Sequence, residues 1–293
     1  MIKTIIDMFS YKRPMGGATE QLFVNKFIAP AGFKRDVYQN MVLTIGDNPR
    51  VLFSSHMDTV HQSDGFNKPV FKDGFLTQTY SNCLGADDTA GVWLMLEMVK
   101  AQIPGVYIIH YGEERGGIGS RAKAKGQPEF FRDIDIAIAF DRMGYNDIIT
   151  HQGVRTASDD FAWSFAKELG GSYRPSDEGM YTDTYEYAHL VAECTNVSVG
   201  YFNQHRESET QDVTFLMALR EALLQVNWTN LIVARDPEHF VEWNMKSAIS
   251  QDATLYEMVT EYPDVAVQIL EAYRLSPVEF MEIVEETYGR DAA

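Results

Sequence analysis

Cysteine is almost missing from this chain: of 293 residues, only Cys83 and Cys194 carry a thiol. Two thiols build neither a disulfide framework nor a thiolate zinc cluster, so they are read as reduced, and any metal here needs histidine and carboxylate ligands. Long apolar runs are missing too. No stretch of 18 apolar residues occurs, and the opening MIKTIIDMFSYKRP has too short an apolar segment and no small-residue cleavage site. Neither a membrane span nor a secretory leader is expected, and the expected location is cytoplasmic. Positive charge is scarce, with 25 Lys and Arg against 42 Asp and Glu, a formal net charge of -17. That balance repels phosphate backbones and anionic lipid, which argues against nucleic acid or a membrane as partner.

What is present is 45% hydrophobic content, enough for a sizeable core. Apolar runs of strand length alternate with segments of helical period, the pattern of an α/β protein: a three-layer αβα sandwich around a mixed, mostly parallel sheet. The strand candidates are RVLFSSH (50–56), GVYIIHYGEE (105–114), DIAIAFD (135–141) and NVSVGYFNQH (196–205). Helices are expected over 18–29, 88–102, 157–170 and 212–234. From Asp236 the chain turns acidic and helical, with Asp236-Pro237 as a cap and Ser276 and Glu279 at capping-box spacing. The expected division is therefore a catalytic domain over 1–235 and a helical extension over 236–293.

Each strong strand runs into a residue that binds hard or borderline metals: His56, the pair Glu113-Glu114, Asp141 and His205. The carboxyl ends of strands in an open α/β sheet form its ligand crevice, so these groups should converge there. The stretch LGADDTAGV adds Asp87 and Asp88 at the start of a helix. Both could complement the helix dipole, but the company they keep points one of them into the shared site. A His, Asp, Glu, Asp, His set suits zinc, with manganese or cobalt as substitutes, and five ligands fit two metals if one carboxylate bridges. Asp58, two residues from His56 on an extended segment, can take the other imidazole N–H. With Glu114 as ligand, Glu113 is left to accept a proton from water.

These residues resemble the zinc-dependent exopeptidases with two co-catalytic metals, the group of leucyl aminopeptidases, peptidase T and glutamate carboxypeptidase. The resemblance runs through His-x-Asp-Thr-Val at His56, Gly-x-Asp-Asp-x-x-Gly at Gly85, YGEERGGIGS, IAIAFDRMG and VGYFNQHRESE, and covers about residues 1–230. It implies that Asp87 is the bridging carboxylate, that His56 and Asp141 complete one zinc site and Glu114 and His205 the other. It further implies Glu113 as general base, Asp58 as support of His56, and a cis peptide bond between Asp87 and Asp88. One branch of the group inserts a lid and dimerisation domain between the third-strand ligand and the last histidine. Here 64 positions separate Asp141 from His205, which implies a single catalytic domain without that insert.

Peptide-bond hydrolysis by an aminopeptidase or dipeptidase is the expectation, with a small peptide as substrate. Tyr181 or Asp183 in MYTDTYEY would face the site; acidic side chains such as Asp183, Glu207 or Glu209 would suit a cationic α-amine, whereas Arg142, Arg206 or Arg115 would suit a carboxylate. An N-acyl amino acid deacylase or carboxypeptidase of the same chemistry, and a catalytically idle metal-binding scaffold, remain as alternatives.

Overall fold

The computed structural model describes residues 1–240 and, beyond them, only isolated positions. Met1–Glu242 forms one compact unit and Trp243–Ala293 a second. The helical reading of 236–293 therefore falls, after Phe240, outside the described residues. Within 236–240 the Asp236 cap is present, but it starts a single 3-10 turn, Pro237–His239.

The central sheet has eight strands: β1 (Lys34–Arg35), β2 (Met41–Ile45), β3 (Val51–His56), β4 (Gly105–His110), β5 (Ile136–Arg142), β6 (Asp147–Ile149), β7 (Arg174–Ser176) and β8 (Glu193–Ser198). Their order across the sheet is β7-β6-β8-β5-β3-β4-β2-β1. The inner four, β8, β5, β3 and β4, run parallel. On the two flanks, β6 lies antiparallel to β8 and β2 antiparallel to β4. The sheet is thus mixed and mostly parallel in its centre.

Alternation along these strands explains the layers. Phe53, Tyr107, Ile109, Ile138 and Phe140 face one apolar cluster, while Leu52, Val106, Ile108, Ala137 and Cys194 face another. Neighbouring residues of a strand point to opposite faces, so a strand apolar at every position must be covered on both sides. The first face is covered by α1 (Ile2–Met8), α3 (Ala86–Lys100), α5 (Asp159–Leu169) and α6 (Val213–Leu223), and the second by α4 (Ile118–Gly126) with the 3-10 segments Pro128–Phe131 and Asp183–Tyr187. Residues 86–99 of α3 are buried on every side, as a helix in the middle of such a layer must be. The expected helix over 18–29 is α2 (Ala18–Phe23) continued by a π turn, Val24–Ile28.

Three expected elements end early. The strand expected over 105–114 stops at His110, and Glu113–Arg115 is a 3-10 turn. The strand expected over 196–205 stops at Ser198; a short strand Tyr201–Phe202 in a separate four-stranded sheet follows, and His205 lies beyond it at φ 64°. The helix expected over 212–234 ends at Leu223, because the chain after it is held elsewhere: buried Glu193 accepts the N–H groups of Ala234 and Arg235 at 2.8 and 2.9 Å.

Candidate metal centre

His56 closes β3, and its imidazole is 1% exposed. Nδ1 lies 3.1 Å from the Asp58 carbonyl and 3.5 Å from Asp58 Oδ1. Both neighbours are acceptors, so Nδ1 carries a proton and Nε2 is the nitrogen offered to the crevice. Asp58 does more than support His56. Its two carboxylate oxygens accept the backbone N–H groups of Glu113 and Glu114, each at 3.2 Å, and so tie the His56 turn to the Glu113-Glu114 turn.

The two aspartates at the start of α3 divide their tasks. Asp88 Oδ1 caps the helix by accepting Gly91 N–H at 3.0 Å, and Oδ2 accepts His56 N–H at 3.2 Å. Asp88 is close enough to His56 and Asp141 to complete a metal-sized cluster, but its oxygens already hold these backbone donors. Asp87 faces the other way. Its Oδ1 is 2.9 Å from His56 Nε2 and its Oδ2 is 3.1 Å from His205 Nε2. The bond between them is cis. At Gly91 a Cβ would collide with the Phe140 carbonyl, Asp88 and Ser55, which is why the turn carries glycine there.

Around Asp87 the remaining groups fall into two sets. Asp141 Oδ1 lies 3.7 Å from His56 Nε2, and Glu114 Oε1 lies 3.1 Å from His205 Nε2. Ligands about 2.0 Å from a tetrahedral zinc stand about 3.3 Å apart, so the spacing and the nitrogen and oxygen chemistry fit zinc on both sides of Asp87. Asp141 is held by Thr182 Oγ1, which donates to Oδ2 at 2.9 Å, and by Tyr201, whose hydroxyl reaches Oδ1 at 3.2 Å. Glu113 Oε2 is 4.0 Å from His56 Nε2, and its carboxylate holds no hydrogen bond to a described residue.

Titration follows from this crowding. Burial opposes charge on Asp87, yet hydrogen bonds from His205 and His56 hold it well below the carboxylate range. Burial also opposes charge on His205, but Asp87 and Glu114 outweigh it and raise the imidazole to about 12. Burial together with Asp87 lifts Glu114 to about 7 and Asp141 to about 6. Burial raises Glu113 well above its ordinary value. Without a cation, then, the cluster stores protons that a metal would displace.

Glu209 is the residue whose role the sequence did not disclose. Proposed there as a receptor for an amine, it is instead 1% exposed, and its carboxylate accepts four successive backbone N–H groups: Leu84 at 2.7, Gly85 at 2.8, Ala86 at 2.9 and Asp87 at 3.2 Å. The signal was the turn LGAD itself, since a buried helix start needs acceptors for its free N–H groups. Of the expected substrate residues, Tyr181 is 38% exposed and donates its hydroxyl to Glu186 Oε1 at 2.7 Å. Asp183 is buried, with neither oxygen partnered among the described residues, and burial raises it to about 8. Arg142 follows Asp141 on β5, points to the other face and pairs with Asp147 at 3.1 Å.

Residues 40–191, just over half of the chain, match the sequence model of Peptidase family M28. The uncharacterized protein YqjE of Bacillus subtilis is 39% identical over 79 residues, an alignment spanning 25% of this chain and only 21% of that relative. Among solved structures, aminopeptidase PepT of Bacillus cereus superposes with a TM-score of 0.62 at 17% identity, covering 76% of this chain and 96% of that one. A tripeptidase of Staphylococcus aureus gives 0.61 at 18% identity, over 76% and 96%. The TET1 peptidase of Pyrococcus horikoshii gives 0.57 at 15% identity, over 77% and 98%. At these identities the superpositions establish a shared fold.

Proposed function

The chain belongs to peptidase family M28 and is a metal-dependent peptide hydrolase, and from that premise we propose that it is a di-zinc aminopeptidase acting on short peptides. One observation carries the reading: the Asp87 carboxylate lies between two imidazoles, one oxygen toward His56 and the other toward His205. His56 and Asp141 would hold one zinc, Glu114 and His205 the second, and Asp87 both. When bound, the metal pair supplies polarisation of the scissile carbonyl and a more acidic water.

The chain's own groups do the rest. Glu113, whose carboxylate lies beside His56 and holds no hydrogen bond to a described residue, takes a proton from water and returns it to the leaving amine. Asp58 keeps Glu113 and His56 in register. Asp183, buried with neither oxygen hydrogen-bonded to a described residue, offers acceptors that suit a substrate α-amine better than a carboxylate. Of the three arginines that directly follow a proposed ligand, Arg115, Arg142 and Arg206, Arg142 is already paired with Asp147. Cys83 and Cys194 are buried and not disulfide-bonded, which supports a reducing, cytoplasmic setting, and no helix among the described residues is long and apolar enough to cross a membrane.

The test is to incubate zinc-loaded protein with free and N-acetylated short peptides and to read products by mass spectrometry, with Glu113→Gln as control. Stepwise loss of N-terminal residues from free peptides only, reduced about 100- to 10,000-fold in Glu113→Gln, is the expected result. Cleavage confined to the blocked peptides would replace the aminopeptidase reading with a deacylase or carboxypeptidase.

A further inference from the structure

Arg13 lies upstream of the residues that match the family and supplies no ligand, yet its side chain is fully buried, the only arginine among the described residues to be so. The guanidinium lies 4.2 Å from the centre of the Phe23 ring. It donates through Nε to the Met57 carbonyl at 2.7 Å and through Nη1 to Thr89 Oγ1 at 2.8 Å. Met57 is the residue between His56 and Asp58. Thr89 directly follows Asp87-Asp88 and passes its own hydroxyl hydrogen to the Gly85 carbonyl. The main chain repeats the tie, since Arg13 N–H donates to Thr59 Oγ1 at 3.1 Å and Thr59 N–H to the Arg13 carbonyl at 2.8 Å. One side chain thus joins the turn after β3 to the first turn of α3, two segments that share no covalent neighbourhood but must deliver His56 and Asp87 to the same point.

Among the described residues the charge of Arg13 has no direct ion pair and Nη2 no hydrogen-bond partner, and the anions that act on the guanidinium do so through space, Asp88 most strongly, then Glu20 and Asp58. Burial lowers its pKa to about 10, which still leaves it a cation at neutral pH. A buried cation is unfavourable unless nearby anions offset its desolvation. Here two of those anions, Asp88 and Asp58, are the ones that anchor the backbone and the ring of His56. The planar fork also reaches two acceptors that a lysine could not hold together.

We propose that Arg13 is a positioning residue of the metal centre, setting the spacing between the His56 turn and the Asp87 turn across which zinc is bound. The inference rests on the ligand assignment above. A purely structural arginine would stabilise the metal-free fold without altering metal affinity; a positioning arginine alters the affinity itself. The test uses the full chain with Arg13→Met, Arg13→Lys and Thr89→Val, measuring zinc affinity by competition with a chromophoric chelator and the thermal midpoint of the metal-free protein. Arg13→Met is expected to weaken zinc binding about 10- to 100-fold. Arg13→Lys should fall between it and wild type, and Thr89→Val, which removes one anchor of the two, should lose several-fold. A lowered midpoint with wild-type zinc affinity in Arg13→Met would overturn the proposal. If Arg13→Met does not fold, Thr89→Val decides: several-fold weaker binding supports the proposal, and wild-type affinity overturns it. A wild-type protein that takes up no zinc would overturn the metal centre, and this inference with it.

Discussion

Asp87 is the residue on which both halves of the proposed centre would depend, because among the described residues no other carboxylate lies within 3.1 Å of two imidazoles. Asp87→Ala should therefore release metal from both sides, read as zinc retained after gel filtration, and retention equal to wild type would remove it as the shared ligand. Glu20 shows a different consequence of burial. It is 3% exposed, close to Asp58, and its carboxyl is raised from 4.5 to about 7, chiefly by burial. The folded state then holds this proton more tightly than the unfolded chain, so stability present below about pH 4.5 is lost as pH rises through about 7. Glu20→Gln removes the charge. It should stabilise the metal-free protein by about 2 kcal/mol at pH 8 and by almost nothing at pH 4, a difference of about 4–8 °C in thermal midpoint. Equal midpoint shifts at both pH values would show that Glu20 is not the titrating group.

Helix α3 begins where a helix has free N–H groups and no water to satisfy them. Glu209 answers four of these donors, and Asp88 answers Gly91. Glu209→Gln keeps the shape but offers one acceptor oxygen, so part of the turn is left unpaired. The expected loss is about 2–3 kcal/mol in urea denaturation, with weaker zinc binding because the turn carries Asp87. An unchanged denaturation midpoint would mean that water replaces the carboxylate there. The acidic pair in LGADDTAGV, the glycine four residues after Asp87 and the helical period downstream were all legible in the sequence. The partner was not, because Glu209 is more than a hundred positions away, and nothing local distinguishes a buried acceptor from an acid at the substrate.

At the scale of the molecule, the compact unit reaches Glu242, further than the expected boundary after residue 235. Arg235 explains why residues before that limit matter: Nε donates to the Ala192 carbonyl at 2.5 Å and Nη2 to the Val191 carbonyl at 2.7 Å, at the start of β8. A chain ending after Glu242 is expected to stay soluble and bind zinc as the full chain does. One ending after Ala234 loses these contacts and should melt at a lower temperature. Aggregation of the longer fragment would overturn Glu242 as the limit of a unit that stands by itself.

The sequence by itself determined the layer order, through strands apolar at every position, and it pointed to His56, Asp87, Glu114, Asp141 and His205 as the proposed ligand set, through short motifs at the strand ends. Those features are written in periodicity and in short motifs, which act over a few residues. Only the tertiary structure decided which oxygen of Asp87 meets which imidazole, that Arg142 pairs with Asp147, and that Arg13 and Glu209 hydrogen-bond to the His56 and Asp87 turns from afar. Each of these depends on groups distant in the chain meeting inside a crevice. Burial there makes every unpaired charge or N–H unfavourable, and so selects one partner among many that the sequence alone leaves equivalent.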